Sequence, residues 1–186
     1  NDESEVVLSF HQMDEGLDSG DIIRKEAFQL GKDTYIGEVY VWLYQTIPCG
    51  FVESVRMLLR GYVGKKQEGK ALRTFPRKPE DSRIDFQNNL NWVYRLIRAS
   101  SKPFSGAYAS LNNTDTKVTI FRAEPYLVDY DFLAVNGQIM GKSDLDKSFV
   151  VAVNHEALRI TDYSVDGKSI DSSFEIIGKS MRNRLT

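Results

Sequence analysis

The sequence predicts an α/β segment followed by a separate β-rich domain. Three observations carry this. Strand-like alternation and then a long helical periodicity occupy the first sixty or so residues. Glycine, proline and charge dominate residues 61–82. Short β-like runs then recur, five of them, separated by turn residues.

Taken in order, residues 5–12 read as a strand. Val6, Leu8 and Phe10 fall on one face and Val7, Ser9 and His11 on the other. Residues 13–21 hold four acids and two glycines, which is loop chemistry. Residues 21–30 read as a second strand. Asp33 or Thr34 offers a helix N-cap. Ile36, Val39, Tyr40, Leu43, Tyr44 and Ile47 then follow at helical spacing. Pro48 is expected to break or kink that helix, because it has no N–H to donate. A further helical stretch follows, with Phe51, Val52, Val55, Leu58 and Leu59 on one face and Gly61 as its stop.

The polar stretch 61–82 reads as a linker with at most one short strand. The domain boundary is placed near residue 75, giving units 1–75 and 76–186. Asn88 is expected to cap a helix running to about Ser100, with Leu90, Val93, Leu96 and Ile97 inward. The strands that follow are read at Tyr108–Leu111, Lys117–Arg122, Gln138–Met140, Phe149–Asn154 and Ala157–Tyr163. Asn112-Asn113 and Asp166-Gly167 supply turns. Five short strands at this spacing make a small barrel or sandwich.

Composition narrows the function. The 24 basic and 26 acidic residues nearly balance, leaving a formal charge of −2. No bulk basic footprint for nucleic acid is present. The single cysteine, Cys49, excludes an internal disulfide and fits a reducing, cytoplasmic compartment. No apolar run approaches the ~20 residues that a membrane-spanning helix needs.

The densest signal is His11-Gln12-Met13-Asp14-Glu15-Gly16-Leu17-Asp18-Ser19-Gly20-Asp21. It fails as a calcium loop. Counted from Asp14, the third position is Gly16, the sixth Ser19 and the twelfth Lys25, none of which suits an EF-hand. His11, Cys49 and His155 lack metal-ligand spacing, so no metal is expected. From the residues alone, an acidic surface loop and a functional loop both remain open. Trp92, Tyr94 and Tyr108 fit core positions better than ligand stacking. Arg98 reads as a brace for the following loop, and Lys65, Lys66 and Lys70 as a solvated basic run.

The loop and its flanks resemble a signature of folate-dependent formyltransferases, where a strand leads into a Met-Asp-x-Gly-x-Asp-Thr-Gly-type loop and a second strand. The resemblance continues along the chain. Pro79-Glu80-Asp81-Ser82-Arg83-Ile84-Asp85-Phe86 is similar to the family's Pro-Glu-Asp-Gly-x-Ile-Asp-Trp entry to its C-terminal domain. Leu96-Ile97-Arg98-Ala99 followed by Pro103-Phe104-Ser105-Gly106-Ala107-Tyr108 resembles its Ile-Arg-Ala…Pro-x-Pro-Gly-Ala-Phe segment. Gly137-Gln138-Ile139 and Arg184-Leu185-Thr186 fit the pattern too. The order and spacing of these pieces carry the likeness.

The resemblance implies a fold: the terminal part of a Rossmann-like catalytic domain in residues 1–75, then a small open, OB-like β-barrel in 76–186. It also implies a reaction, in which a substrate amine attacks the formyl carbon of N10-formyltetrahydrofolate. The family's Asp before Ser/Thr-Gly falls on Asp18, which would steer proton transfer. In some members a histidine at the position of His11 contacts that Asp, which makes His11 a catalytic candidate; a strand histidine facing solvent or a neighbouring helix is the other reading. Met13, Asp14, Glu15, Gly16 and Leu17 are expected to line the pterin pocket. The family's catalytic Asn and a further His lie upstream of this loop, so an N-terminal portion preceding Asn1 is expected. Pro76-Arg77-Lys78-Pro79-Glu80-Asp81 and the balanced charge favour an amino-sugar nucleotide as acceptor. Initiator tRNA is the alternative, as for methionyl-tRNA formyltransferase, and a non-catalytic binding module is a third reading. A homo-oligomer is compatible with all of these.

Overall fold

A computed structural model describes residues 3–69, 74–180 and 182–186. Lys70, counted above in the basic run, lies outside them. The chain divides into two compact units, Asn1–Pro76 and Arg77–Thr186.

In the first unit, β1 (Glu5–His11) and β2 (Ile22–Gln29) form an antiparallel pair. Val6 sits opposite Phe28, Leu8 opposite Glu26 and Phe10 opposite Arg24. These residues share the face on which α1 (Ile36–Leu59) lies. Phe28 and Trp42 meet there with ring centroids 5.4 Å apart.

The expected break at Pro48 does not occur, and α1 is one helix of 24 residues. Proline removes only the N–H that would reach the Tyr44 carbonyl. Tyr44 and Pro48 are both exposed, so water can satisfy that carbonyl. The N-cap is also displaced, to Tyr35. Its backbone N–H donates to Glu38 Oε1 at 2.8 Å, while the Thr34 hydroxyl oxygen accepts from Gly31 N. Arg60 caps the C-terminal end and Gly61 follows at φ 83°. Beyond it, the described residues of the linker stretch add an antiparallel bridge between Lys65 and Ile22.

The second unit opens with a 3-10 turn at Pro79–Ser82 and α2 (Leu90–Ser100). Asn89, not Asn88, caps α2 by accepting from Trp92 N at 2.9 Å. Asn88 is occupied by bonds to Asp85. Val93 and Ile97 are fully buried, whereas Leu96 is only half-buried. Tyr94 is a core residue and Arg98 lies over its ring.

Five strands follow: β3 (Ala107–Ser110), β4 (Lys117–Tyr126), β5 (Ile139–Ser143), β6 (Ser148–Val153) and β7 (Glu156–Val165). They pair antiparallel in the order β3-β4-β7-β6-β5. α2 packs on β4 and β7, and α3 (Ile170–Gly178) on β7. The core comprises Val118, Ile120, Phe149, Val151, Leu158 and Ile160 from the sheet, with Ile97 and Ile177 from the helices. Phe149 meets Tyr163 edge-on at 4.8 Å, and the buried Tyr163 hydroxyl donates to the Lys147 carbonyl. The sheet does not close on itself. Residues 183–186 bridge its edges instead, pairing Leu185 with Leu111 and Arg184 with Gln138. The unit is therefore a small α/β domain whose five-stranded sheet stays open, with no closed barrel.

An ionic cluster stands on the outer face of this sheet. Arg159 reaches Glu124 at 3.2 Å, Ser148 Oγ at 3.0 Å, and Asp146. Hydrogen bonds from the Ser143 and Ser148 side chains, aided by Arg159, lower the Asp146 carboxyl from 3.8 to about 2. A depressed folded-state value stabilises the fold above the unfolded value and loses that contribution as pH falls through the folded one. The stability difference between wild type and Asp146→Asn is therefore expected to shrink between pH 3.8 and about 2. Urea midpoints on both sides of this window test it. A difference that does not change with pH would exclude the carboxylate as its source.

Candidate functional site

The acidic loop joins β1 to β2, so the hairpin fixes both of its ends. At the neck, Gln12 N donates to the Asp21 carbonyl at 3.0 Å. Gly20 is required there, since a Cβ would fall 1.7 Å from the Gln12 carbonyl oxygen.

Within the loop, Asp14 is the organiser. Its Oδ1 accepts from Gly16 N at 3.0 Å and from the Ser19 hydroxyl at 2.7 Å. This is the side-chain-to-backbone turn that aspartate favours. Asp18 adopts φ 54°, the left-handed region that a short polar side chain tolerates. That twist turns its carboxylate back toward the end of β1. His11 Nε2 stands 3.6 Å from Asp18 Oδ1, while His11 Nδ1 lies 2.9 Å from the Gln12 carbonyl oxygen. With Nδ1–H given to the Gln12 carbonyl, Nε2 can donate to the Asp18 carboxylate only in the doubly protonated ring. The two residues thus meet across seven positions of chain.

Gln67 was not foreseen from sequence. Its side-chain amide donates to the Asp18 and Gly20 carbonyls, both at 2.8 Å, clamping the loop from the far end of the unit. A glutamine in a polar stretch carries no signal for such a contact. Gln67 also lines a cavity of about 890 Å³ with Ser9, Ile23, Lys25, Tyr62 and Lys66.

Met13, Asp14, Glu15, Gly16 and Leu17 form the outer arc of the loop. The Met13 and Leu17 side chains are 94% and 92% exposed. Among the described residues, no hydrogen bond engages the backbone of Met13, Glu15 or Leu17. None of the cavities described is lined by residues 13–17. Asp18 is as open, at 84%. Among the described residues, no group of His, Cys, Asp and Glu is placed to hold a metal, and no helix is long and apolar enough to cross a membrane.

Comparison with known proteins supplies the lineage. The family model for the formyl transferase C-terminal domain matches residues 77–177, more than half of the 186. The methionyl-tRNA formyltransferase of Carboxydothermus hydrogenoformans is 26% identical over 174 residues, covering 89% of this chain and 52% of that protein. The chain thus spans about half the length of that curated relative.

Two solved structures share the fold. HypX from Aquifex aeolicus, in complex with tetrahydrofolic acid, superposes with a TM-score of 0.66 at 18% identity, over 87% of this chain and 27% of that one. The N-formyltransferase from Helicobacter canadensis, crystallised with folinic acid and dTDP-3-aminofucose, gives 0.60 at 16%, over 87% and 57%. A match to the C-terminal domain model over most of the second unit, together with relatives that align across nearly the whole chain, shows that this protein belongs to the formyltransferase family.

Proposed function

We propose that the chain is the later part of a formyltransferase that uses N10-formyltetrahydrofolate, with Asp18 and His11 at its reacting centre. The first unit then completes a Rossmann-like catalytic domain and the second is an OB-like appendage. The observation that carries this reading is the 3.6 Å approach of His11 to Asp18 at the end of a strand. A hairpin neck and the Gln67 clamp hold both in place.

In the proposed reaction the acceptor amine forms a bond to the formyl carbon. The bond from that carbon to N10 of the folate then breaks, and the proton lost by the amine passes to N10. Asp18 receives or relays that proton, and His11 orients the carboxylate. The unengaged backbone groups of Met13, Glu15 and Leu17 suit the polar edge of a pterin. Their exposed apolar side chains suit its flat face.

An amino-sugar nucleotide is the favoured acceptor. Arg159, the central cation of the second unit's sheet, is committed to Glu124 and Asp146, and Lys102 to Asp162. The pairing of these two cations with acids of the same unit supports the smaller acceptor over a tRNA backbone. The test is an assay of the complete enzyme with N10-formyltetrahydrofolate and either a dTDP-amino sugar or initiator methionyl-tRNA. Formylation of the sugar with release of tetrahydrofolate is expected. Formylation of the tRNA alone would move the assignment to the second acceptor, and consumption of folate by neither would refute it.

A further inference from the structure

The direction of the Asp18 carboxylate depends on a backbone region that few residues other than glycine enter. Asp18 has φ 54°, and its carboxylate meets His11 at 3.6 Å. Asp14 orders the first half of the loop through Gly16 N and the Ser19 hydroxyl. An exposed left-handed residue relaxes to commoner conformers unless its surroundings prevent it, and relaxation here would swing the carboxylate away from His11. Restraint on the far side of residue 18 therefore decides where that carboxylate points.

The restraint comes from outside the hairpin. The chain leaves α1 through Gly61, and Tyr62 N donates back to the Met57 carbonyl at 3.0 Å. Lys65 and Ile22 then exchange both of their backbone hydrogen bonds, each 2.8 Å, so this segment runs antiparallel beside the start of β2. Gly64 permits the approach, since a Cβ there would stand 2.8 Å from Asp21 Cβ and 3.1 Å from the Asp21 carbonyl carbon. Two antiparallel steps from the Lys65–Ile22 pair bring Gln67 level with Gly20.

From that place Gln67 Nε2 donates to the Gly20 and Asp18 carbonyls, 2.8 Å each. A primary amide carries two N–H donors on one nitrogen, and both are used. The two bonds span Ser19 and fix the Asp18 carbonyl. The torsion between that carbonyl and the Asp18 Cα is thereby held, and with it the direction of the side chain. Gln67 is itself exposed, as are Lys66 and Glu68, so core packing does not account for its placement.

We propose that Gln67 is a positioning residue for the transfer reaction, acting through Asp18 by fixing the backbone from which the carboxylate meets His11. This rests on the assignment of Asp18 to the reacting centre. The chemistry is specific to an amide of this length. Alanine supplies no donor, and an ionised glutamate would turn a negative charge toward two carbonyl oxygens.

The test is a double-mutant cycle in the complete enzyme. Turnover is measured with N10-formyltetrahydrofolate and whichever of the dTDP-amino sugar and initiator methionyl-tRNA the wild type formylates. Gln67→Ala should lower kcat by up to about 10²-fold, the scale of a misplacement of about 1 Å at a reacting group. The Michaelis constant for the folate should change much less, because Asp14 still orders the 13–17 arc. Thermal unfolding should match wild type, as for most exposed positions. Gln67→Glu should lose at least as much turnover as Gln67→Ala. In the Asp18→Asn background, Gln67→Ala should cost little more, because residues that act as one unit do not add. A merely structural role would multiply the two losses instead. Multiplying losses, a change confined to the Michaelis constant, or wild-type turnover of Gln67→Ala beside an impaired Asp18→Asn would overturn the positioning role and leave that of Asp18 standing. Full activity of Asp18→Asn, or formylation of neither acceptor by the wild type, would overturn both.

Discussion

In the complete enzyme, Asp18→Asn is expected to lower turnover by a factor of about 10²–10⁴, the range for a positioned acid–base group. The amide matches the carboxylate in shape, and the loop depends on the Asp18 carbonyl rather than its side chain. The clamp from Gln67 therefore survives, and thermal unfolding should match wild type. The Michaelis constant for the folate should change much less than turnover, because the pterin contacts proposed here are to backbone groups. Asp14→Asn and Asp21→Asn are the controls. The first retains the Oδ1 acceptor for Gly16 N and Ser19, and the second leaves the Asp21 carbonyl bond to Gln12 untouched. Both should be milder. Equal losses in all three would reduce the loop to a charged surface, and full activity of Asp18→Asn would refute the proposed mechanism.

The largest expected effect on stability comes from Gly137→Ala. Gly137 has φ 81°, and a Cβ there would lie 2.0 Å from the Leu185 carbonyl oxygen. The strained backbone and the displaced tail act together, because Leu185 N donates to the Gly137 carbonyl at 2.8 Å. A loss of about 2–3 kcal/mol is expected, from left-handed strain plus one broken buried hydrogen bond. That corresponds to a drop of roughly 10 °C or more in Tm for a domain of this size. Gly141→Ala is the matched control, since its Cβ would meet nothing within 4 Å and its φ is not positive. It should be neutral or slightly stabilising. Equal melting of the two variants would show that the tail contact contributes nothing.

The strands were legible because their alternation is local. Val6, Leu8 and Phe10 announce β1 without reference to any other segment, and the β-rich runs from residue 108 onward do the same. Elements that depend on context were not. Pro48 marks a helix break by its own chemistry, yet a solvated position lets α1 pass through it. The helix α3 was missed because Ile170, Phe174 and Ile177 follow a strand closely in a short segment. Ser169, which accepts from Ser172 N, is a cap signal that identifies it. The loop motif could be read by residue type, and the resemblance singled out Asp18. Its contact with His11 was offered by the resemblance alone; the means that bring the two together, a left-handed backbone at position 18 and a glutamine 49 positions further on, could not be read. Long-range contacts of single polar side chains leave no periodicity for a reader to find.

The strip of chain at 183–186 has a consequence for how the second domain is born. Ser110 and Thr186 exchange backbone bonds, and Ile139 N donates to the Asn183 carbonyl, so the outer edges of β3 and β5 are covered by residues made after every strand of the sheet. On the ribosome, all five strands and both helices of this domain emerge before that cover does. Throughout this interval the Ser110 end of β3, beyond the bridge that Arg83 makes to Tyr108, and the outer edge of β5 stand bare, each a template for a strand from a neighbouring nascent chain. Crowded polysomes are therefore where this domain is most exposed to mispairing, and emergence of residues 183–186, rather than formation of the core, is the step that ends the exposure.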